Sequence, residues 1–433
     1  MALQLDTIDI HRPQRYAEQG FPWGEWDMLR REAPVFWYER DDIEPFWAVT
    51  RYDEVMAISG RPEIFINGGP RLRLALKHET ELLRGGIDAF GRSRGWDPQE
   101  PPDLTFMDDP RHRQVRKASS WAFTQGCMRA MAAHFDDLAR GFAEEFQAAL
   151  ERATANGETL DFVHGYAAKL PLAAVGEIMG LPDDDWKKLL LWSEAIIGEV
   201  PPEQVRPGET LTEAAERNMN EFREYLEALV HEHRQPGGGP SDFINRLIEA
   251  RVQGEPMNDQ QLIGYLFVLI GAGNDTTRNA TAGGFAALLE HPEQRDLLCA
   301  NPDLLPGAVD EVLRWTSPVI SFLRTATEDF NLAGTPIKAG ETVCMFYPSA
   351  NRDESHFADP YKFDISRSPN DYLTFGYGAH FCLGTNLARA ELASMLRALI
   401  PVLPRMELAA GATRIANTHV SGYSSLPVRA VPG

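Results

Sequence analysis

Residues 260–290 carry the longest run of helical spacing in the chain, and a helix of that length fixes much of what can be built around it. At 1.5 Å per residue it spans about 45 Å, enough to cross a protein of this size from one side to the other. Its apolar half, Leu262 to Ile270, leads into Gly271-Ala272-Gly273-Asn274-Asp275-Thr276-Thr277. The small and polar residues there interrupt it too often for a membrane span.

The flanking pattern predicts a helical body with a minor β part. Apolar residues recur every three or four positions over 131–150, 160–179, 184–197, 211–233 and 241–250. Before them, aromatic and β-branched runs at 34–39 and 45–50, joined through Asp41-Asp42, predict a hairpin, followed by a short helix over 52–59. Residues 67–108, rich in Gly, Pro and Arg, predict a long irregular stretch, and loops of that length are usually functional or disordered. After Ser317, β-prone runs at 320–325, 330–332 and 342–348 around Gly334 and Gly340 predict a small sheet, and apolar spacing resumes in a last helix over 384–402. No repeat or low-complexity linker divides the chain, and the Pro/Gly-rich pieces at 201–208 and 235–240 are short, so one domain over 1–433 is expected.

A net charge of −21 argues against nucleic acid or an anionic membrane as the main partner. Residues 111–117, with Arg111, His112, Arg113, Arg116 and Lys117, form a basic island that needs its own explanation. The cysteines Cys127, Cys299, Cys344 and Cys382 lie far apart without paired spacing, which argues against a zinc site, disulfides and covalent haem attachment. Residues 1–20 have neither the apolar core of a signal peptide nor a membrane anchor, so a cytoplasmic protein is expected.

Cys382 stands in the glycine-punctuated loop Phe375-Gly376-Tyr377-Gly378-Ala379-His380-Phe381-Cys382-Leu383-Gly384, just before the last helix. A sulfur near a helix N-terminus meets free backbone N–H groups and the positive end of the dipole, which favour the thiolate. Gly378 and Gly384 offer backbone conformations closed to other residues and let the chain lie against a flat ligand. An isolated cysteine is more often simply core. Likewise, Glu311-x-x-Arg314 alone reads as a solvated helix pair, and Asp275 or Thr276 alone reads as an N-cap starting a new helix after Gly273.

Together, Phe375, Gly376, Gly378, His380, Cys382 and Gly384 resemble the haem-binding loop of the cytochromes P450, position by position. The resemblance covers nearly the whole chain and implies the cytochrome P450 fold: a helical body, a long central helix and small β-sheets. It further implies a monooxygenase with non-covalent haem b, Cys382 as the thiolate on iron, and O2 as co-substrate. His380, His112, Arg116 and Arg324 match residues that hold the haem propionates, a charge-assisted clamp on carboxylates. Asp275 and Thr276 resemble the family's oxygen-binding groove, where Thr276 orients water and Asp275 relays protons. The glycines before them weaken the helix by about 1 kcal/mol each and invite a local distortion. Glu311, Arg314 and Arg367 resemble a buried ion network that shapes the fold behind the haem loop.

Electrons are expected from a separate ferredoxin and its reductase, with NAD(P)H consumed indirectly, because no flavin or iron–sulfur cysteine cluster is seen. Arg113, Lys117 and Arg129 would draw an acidic donor to the proximal face. Candidate substrate contacts by family position are 67–106, 196–211, Ala272, Val319, Ile320 and 420–422. The run 275–279 is similar to bacterial members that oxidise steroid side chains and terpenoids, so a bulky lipophilic substrate is expected. A fatty-acid, alkane or aromatic hydroxylase, a peroxygenase driven by H2O2, a haem sensor and a helical binding protein remain as alternatives.

Overall fold

In the computed structural model, residues 4–196, 200 and 204–431 are described. The long helix is continuous from Asp259 to Glu290. It starts where Asn258 and Gln261 cap each other, each side chain accepting from the other's backbone N–H at 2.9 and 3.1 Å. Because it carries no break at Gly273, a new helix starting at Asp275 or Thr276 is ruled out. The helix also runs unbroken through the place where a distortion was expected, and there the Thr276 hydroxyl donates back to the Ala272 carbonyl at 2.8 Å. Gly271 and Gly273 serve packing instead, since a Cβ at either would lie 2.8 Å from Ile196 or Val175.

Leu262, Leu266, Ile270 and Phe285 of this helix are fully buried in the main core, where Phe285 stacks on Phe162 with ring centroids 3.7 Å apart. Each such side chain contributes about 1.5–3 kcal/mol by leaving water. Around it pack the helices Lys169–Met179, Trp186–Ile196, Leu211–His233, Leu305–Thr316 and Thr385–Leu399. The stretch expected as one helix from residue 160 instead opens with a two-residue strand, Leu160–Asp161, and a wide turn, Val163–Ala167.

The stretch expected to be irregular contains an 18-residue helix, Lys77–Arg94. Its apolar stripe is thin, and contact with the Leu211–His233 helix compensates. Arg94 and Arg223 bring their guanidinium carbons to 3.6 and 5.4 Å from the Phe90 ring centre, and Arg94 pairs with Glu227 at 2.9 Å. Beyond it, the 102–103 backbone lies directly on the central helix. A Cβ at Gly264 would sit 2.0 Å from the Pro102 carbonyl oxygen, so glycine is required there.

The hairpin Val35–Arg40/Ile43–Val49 belongs to a five-stranded sheet. Thr342–Phe346 runs parallel to its second strand, followed by Ser321–Ala326 and Phe65–Ile66. Side chains alternate between two buried faces, with Val343 and Met345 on one and Cys344 and Phe346 on the other.

Behind the cysteine loop, Arg314 donates to both carboxylate oxygens of Glu311 at 2.7 and 2.8 Å and to the Asn351 and Pro360 carbonyls, each at 2.9 Å. Glu311 also accepts from the Asp364 backbone N–H at 2.9 Å, and Arg367 Nε stands 3.3 Å away. Both Glu311 and Arg314 are wholly buried, with their charges met on every side.

Candidate active site

The cysteine loop and the central helix face each other across one cavity. The loop is held by Cys382, whose N–H donates to the Phe375 carbonyl at 2.9 Å, and by the Thr385 hydroxyl, which donates to the Cys382 carbonyl at 2.9 Å. Gly376 and Gly378 take φ of 71° and 76°, and a Cβ at Gly378 would meet the Ser59 carbonyl at 2.2 Å. Gly384, expected to need such freedom, has an ordinary φ of −84°. Burial pushes the Cys382 thiol up, while the Gly384 N–H, Thr385 and Arg116 act in the opposite direction.

Of the residues singled out from sequence, His112, Arg116, Ala272, Thr276, Val319, Arg324, Phe375, Gly376, His380 and Cys382 all line this cavity. His112 and His380 stack with ring centroids 3.9 Å apart. Burial, together with His112, Arg324 and Arg116, pushes the His380 ring down to about 2, so it is neutral. Arg324 is 7% exposed, and burial lowers both it and Arg116. Neither arginine has a carboxylate partner among the described residues.

Two expected substrate contacts, Ile320 and the turn 420–422, do not reach the cavity. Ile320 does not line the cavity, because the alternation of the sheet turns it into the opposite core, with Tyr38, Phe46 and Phe346. Asp275 does not line it either: one position round the helix from Thr276, it is 2% exposed and lies 3.7 Å from Arg278 Nη2. The turn 420–422 stops short, with Val420 bridging to Val319 and Gly422 packed on Asn279. Of the stretch 196–211, residues 197–199 and 201–203 lie outside the described residues.

From the expected stretch 67–106, Asn67, Leu104 and Thr105 line the cavity, the Asn67 amide meeting His380 Nε2 at 2.8 Å, whereas sequence reasoning missed the apolar wall of Val175, Met179, Val268 and Leu269. It also missed Glu391, which is fully buried and lines the cavity. A signal was present, because Glu391 interrupts the apolar spacing of Leu387, Ala390 and Leu392. Burial pushes its carboxyl up to about 8. The unfolded chain releases this proton near 4.5 and the folded state keeps it, so the stabilisation is full below pH 4.5 and lost as pH rises through about 8. Glu391→Gln should therefore match the wild type in urea unfolding at pH 4 and exceed it by roughly 4 kcal/mol at pH 8. Parallel pH dependence of the two proteins would contradict this.

The cytochrome P450 family model matches residues 48–303 and 299–401. The methyl-branched lipid omega-hydroxylase of Mycobacterium tuberculosis is 34% identical over 413 residues, 94% of this chain and 90% of that one. Linalool 8-monooxygenase of Pseudomonas putida is 32% identical over 99% of this chain and 100% of its own. A Mycobacterium marinum cytochrome P450 solved in complex with pseudoionone superposes with a TM-score of 0.84 at 30% identity, covering 99% of each chain. Among the described residues no helix is long and apolar enough to cross a membrane. With family and relatives matching over most of its length, this chain belongs to the cytochromes P450, oxygenases that use haem iron and O2.

Proposed function

We propose that this protein hydroxylates a bulky, uncharged lipophilic molecule of the terpenoid or steroid kind, using electrons from a separate ferredoxin and, through its reductase, from NAD(P)H. The observation that carries the reading is the cavity itself, with a cysteine sulfur facing a threonine hydroxyl, a cationic rim and otherwise apolar walls. The residues fit haem b. Arg116 and Arg324 are desolvated cations with no carboxylate paired to them among the described residues, a costly arrangement that two propionates would relieve. Cys382 would ligate the iron, His112, Arg116, Arg324 and His380 would hold the propionates, and Phe375 and Gly376 would shape the loop against the ring. When bound, the haem supplies an iron centre that activates O2.

The chain's own work is positioning and proton delivery. Thr276 presents its hydroxyl oxygen to the cavity while its proton is engaged by Ala272, so it accepts from and orients a water. Asp275, buried behind it, passes protons toward that water. Val175, Val268, Leu269 and Val319 offer an uncharged substrate surface. Relatives that act on a methyl-branched lipid and on linalool support this substrate class.

The test is reconstitution of haem-loaded protein with a surrogate ferredoxin, its reductase and NADH against linalool, methyl-branched lipids and steroids. A hydroxylated product supports the reading. Product formed only with H2O2 would make the protein a peroxygenase, and NADH consumption without any product would favour a sensor. Thr276→Ala should continue to consume NADH but lose at least about tenfold in product, with peroxide appearing instead. Undiminished product from that variant would remove Thr276 from the proton route.

A further inference from the structure

Outside the cavity, charged side chains of alternating sign run from the surface to Asp275. Asp161 meets the His164 ring, Oδ2 to Nδ1, at 2.7 Å, and its other oxygen accepts from the Leu426 N–H at 2.7 Å. The second ring nitrogen of His164 lies 2.8 Å from Glu194 Oε1, which also accepts from Arg278 Nη1 at 2.8 Å. Arg278 Nη2 in turn stands 3.7 Å from Asp275 Oδ1. The Glu194 and Arg278 side chains are 3% and 0% exposed, whereas that of His164 is 45% exposed. One position away, Ser193 accepts from Asn274 at 2.7 Å, so the Trp186–Ile196 helix grips the central helix on both sides of Asp275.

Apolar side chains would dock these helices at lower cost than buried ions do. We propose that His164 and Glu194, neither of which reaches the cavity, are positioning residues that act through Arg278 to set how readily Asp275 takes up and gives protons. This rests on the reading of Asp275 as the proton donor.

His164 is the titratable member at the solvent end of the network. Its bonds to Asp161 and Glu194 push its ring up to about 9. The charged groups facing it are Asp161 from its strand, Glu194 from the Trp186–Ile196 helix and, behind Glu194, Arg278 from the central helix. While His164 is protonated it shares Glu194 with Arg278, and Arg278 keeps its hold on Asp275. Removing that positive charge leaves Glu194 to draw on Arg278 alone, which loosens the hold and favours a proton on Asp275. Removing the charge of Glu194 does the reverse.

The test follows peroxide released per O2 consumed against pH, in haem-loaded enzyme with surrogate ferredoxin and reductase and without substrate. Peroxide rises where proton delivery fails. The midpoint of that rise should move up by about half a pH unit in His164→Gln and down by about one unit in Glu194→Gln. His134→Gln, which removes a surface histidine paired with Glu177, should not move it. In 15N-histidine-labelled, reduced and CO-bound protein, the His164 ring should titrate near 9, and at a lower pH in Glu194→Gln, where Asp161 alone still holds it up. Midpoints shifted in the same direction, or unmoved in both variants, would overturn the proposal. Asp275→Asn separates the two readings. If it leaves peroxide release unchanged, the role of Asp275 fails and the network with it. If it raises peroxide while His164→Gln and Glu194→Gln both follow the wild type, only the network fails.

Discussion

Cys382→His is expected to abolish the strongly red-shifted Soret band of the reduced, CO-treated protein and to lower product formation by about 100-fold or more. That is the scale of loss when a group stabilising developing charge is removed. Cys382 is the thiol that lines the cavity, and it sits in a loop fixed by its own bond to Phe375. A histidine in its place offers a neutral nitrogen, which donates less electron density to iron than a thiolate does. An unchanged band in the variant would place the iron ligand elsewhere and remove the basis for thiolate-driven O2 chemistry.

Glu311→Ala is expected to destabilise the fold by about 3–5 kcal/mol, because it strands the Arg314 charge in the interior. Arg314 keeps its three carbonyl acceptors but loses the carboxylate that neutralised it. Urea unfolding of the haem-loaded protein measures the loss directly. Lys338→Ala breaks a pair of similar length, 2.8 Å, that is wholly solvated, and should leave the unfolding midpoint where it was. Equal midpoints for Glu311→Ala and Lys338→Ala would mean that the buried pair adds nothing to stability.

What the sequence disclosed depended on how local the signal was. The cysteine loop is contiguous, so its resemblance to the family and the helix behind it could be read directly from residues 375–384. The hairpin and the strand at 342–346 were equally legible, but their parallel pairing joins segments nearly 300 residues apart and left no local trace. The Lys77–Arg94 helix escaped notice because its stability comes from Arg223 and Glu227 on another helix, not from its own apolar spacing. Ile320 was misplaced by one position: just before the strand Ser321–Ala326, Val319 faces the cavity while Ile320 faces the core. Asp161 and His164 are neighbours in sequence, but Glu194 and Arg278 come from two other segments, so the full alternation of charge exists only in three dimensions.

The contact at Gly264 bears on how substrate range can be altered. Leu104 and Thr105 reach the cavity from a segment seated on the same helix that carries Thr276, with no side chain between the two backbones. The distance between this part of the cavity wall and Thr276 is therefore fixed by main chain, as in a gauge machined from one block. Exchanging the side chains at 104 and 105 should retune selectivity at full catalytic competence. Widening the site by bulk at Gly264 would instead move both at once, trading reactivity for room.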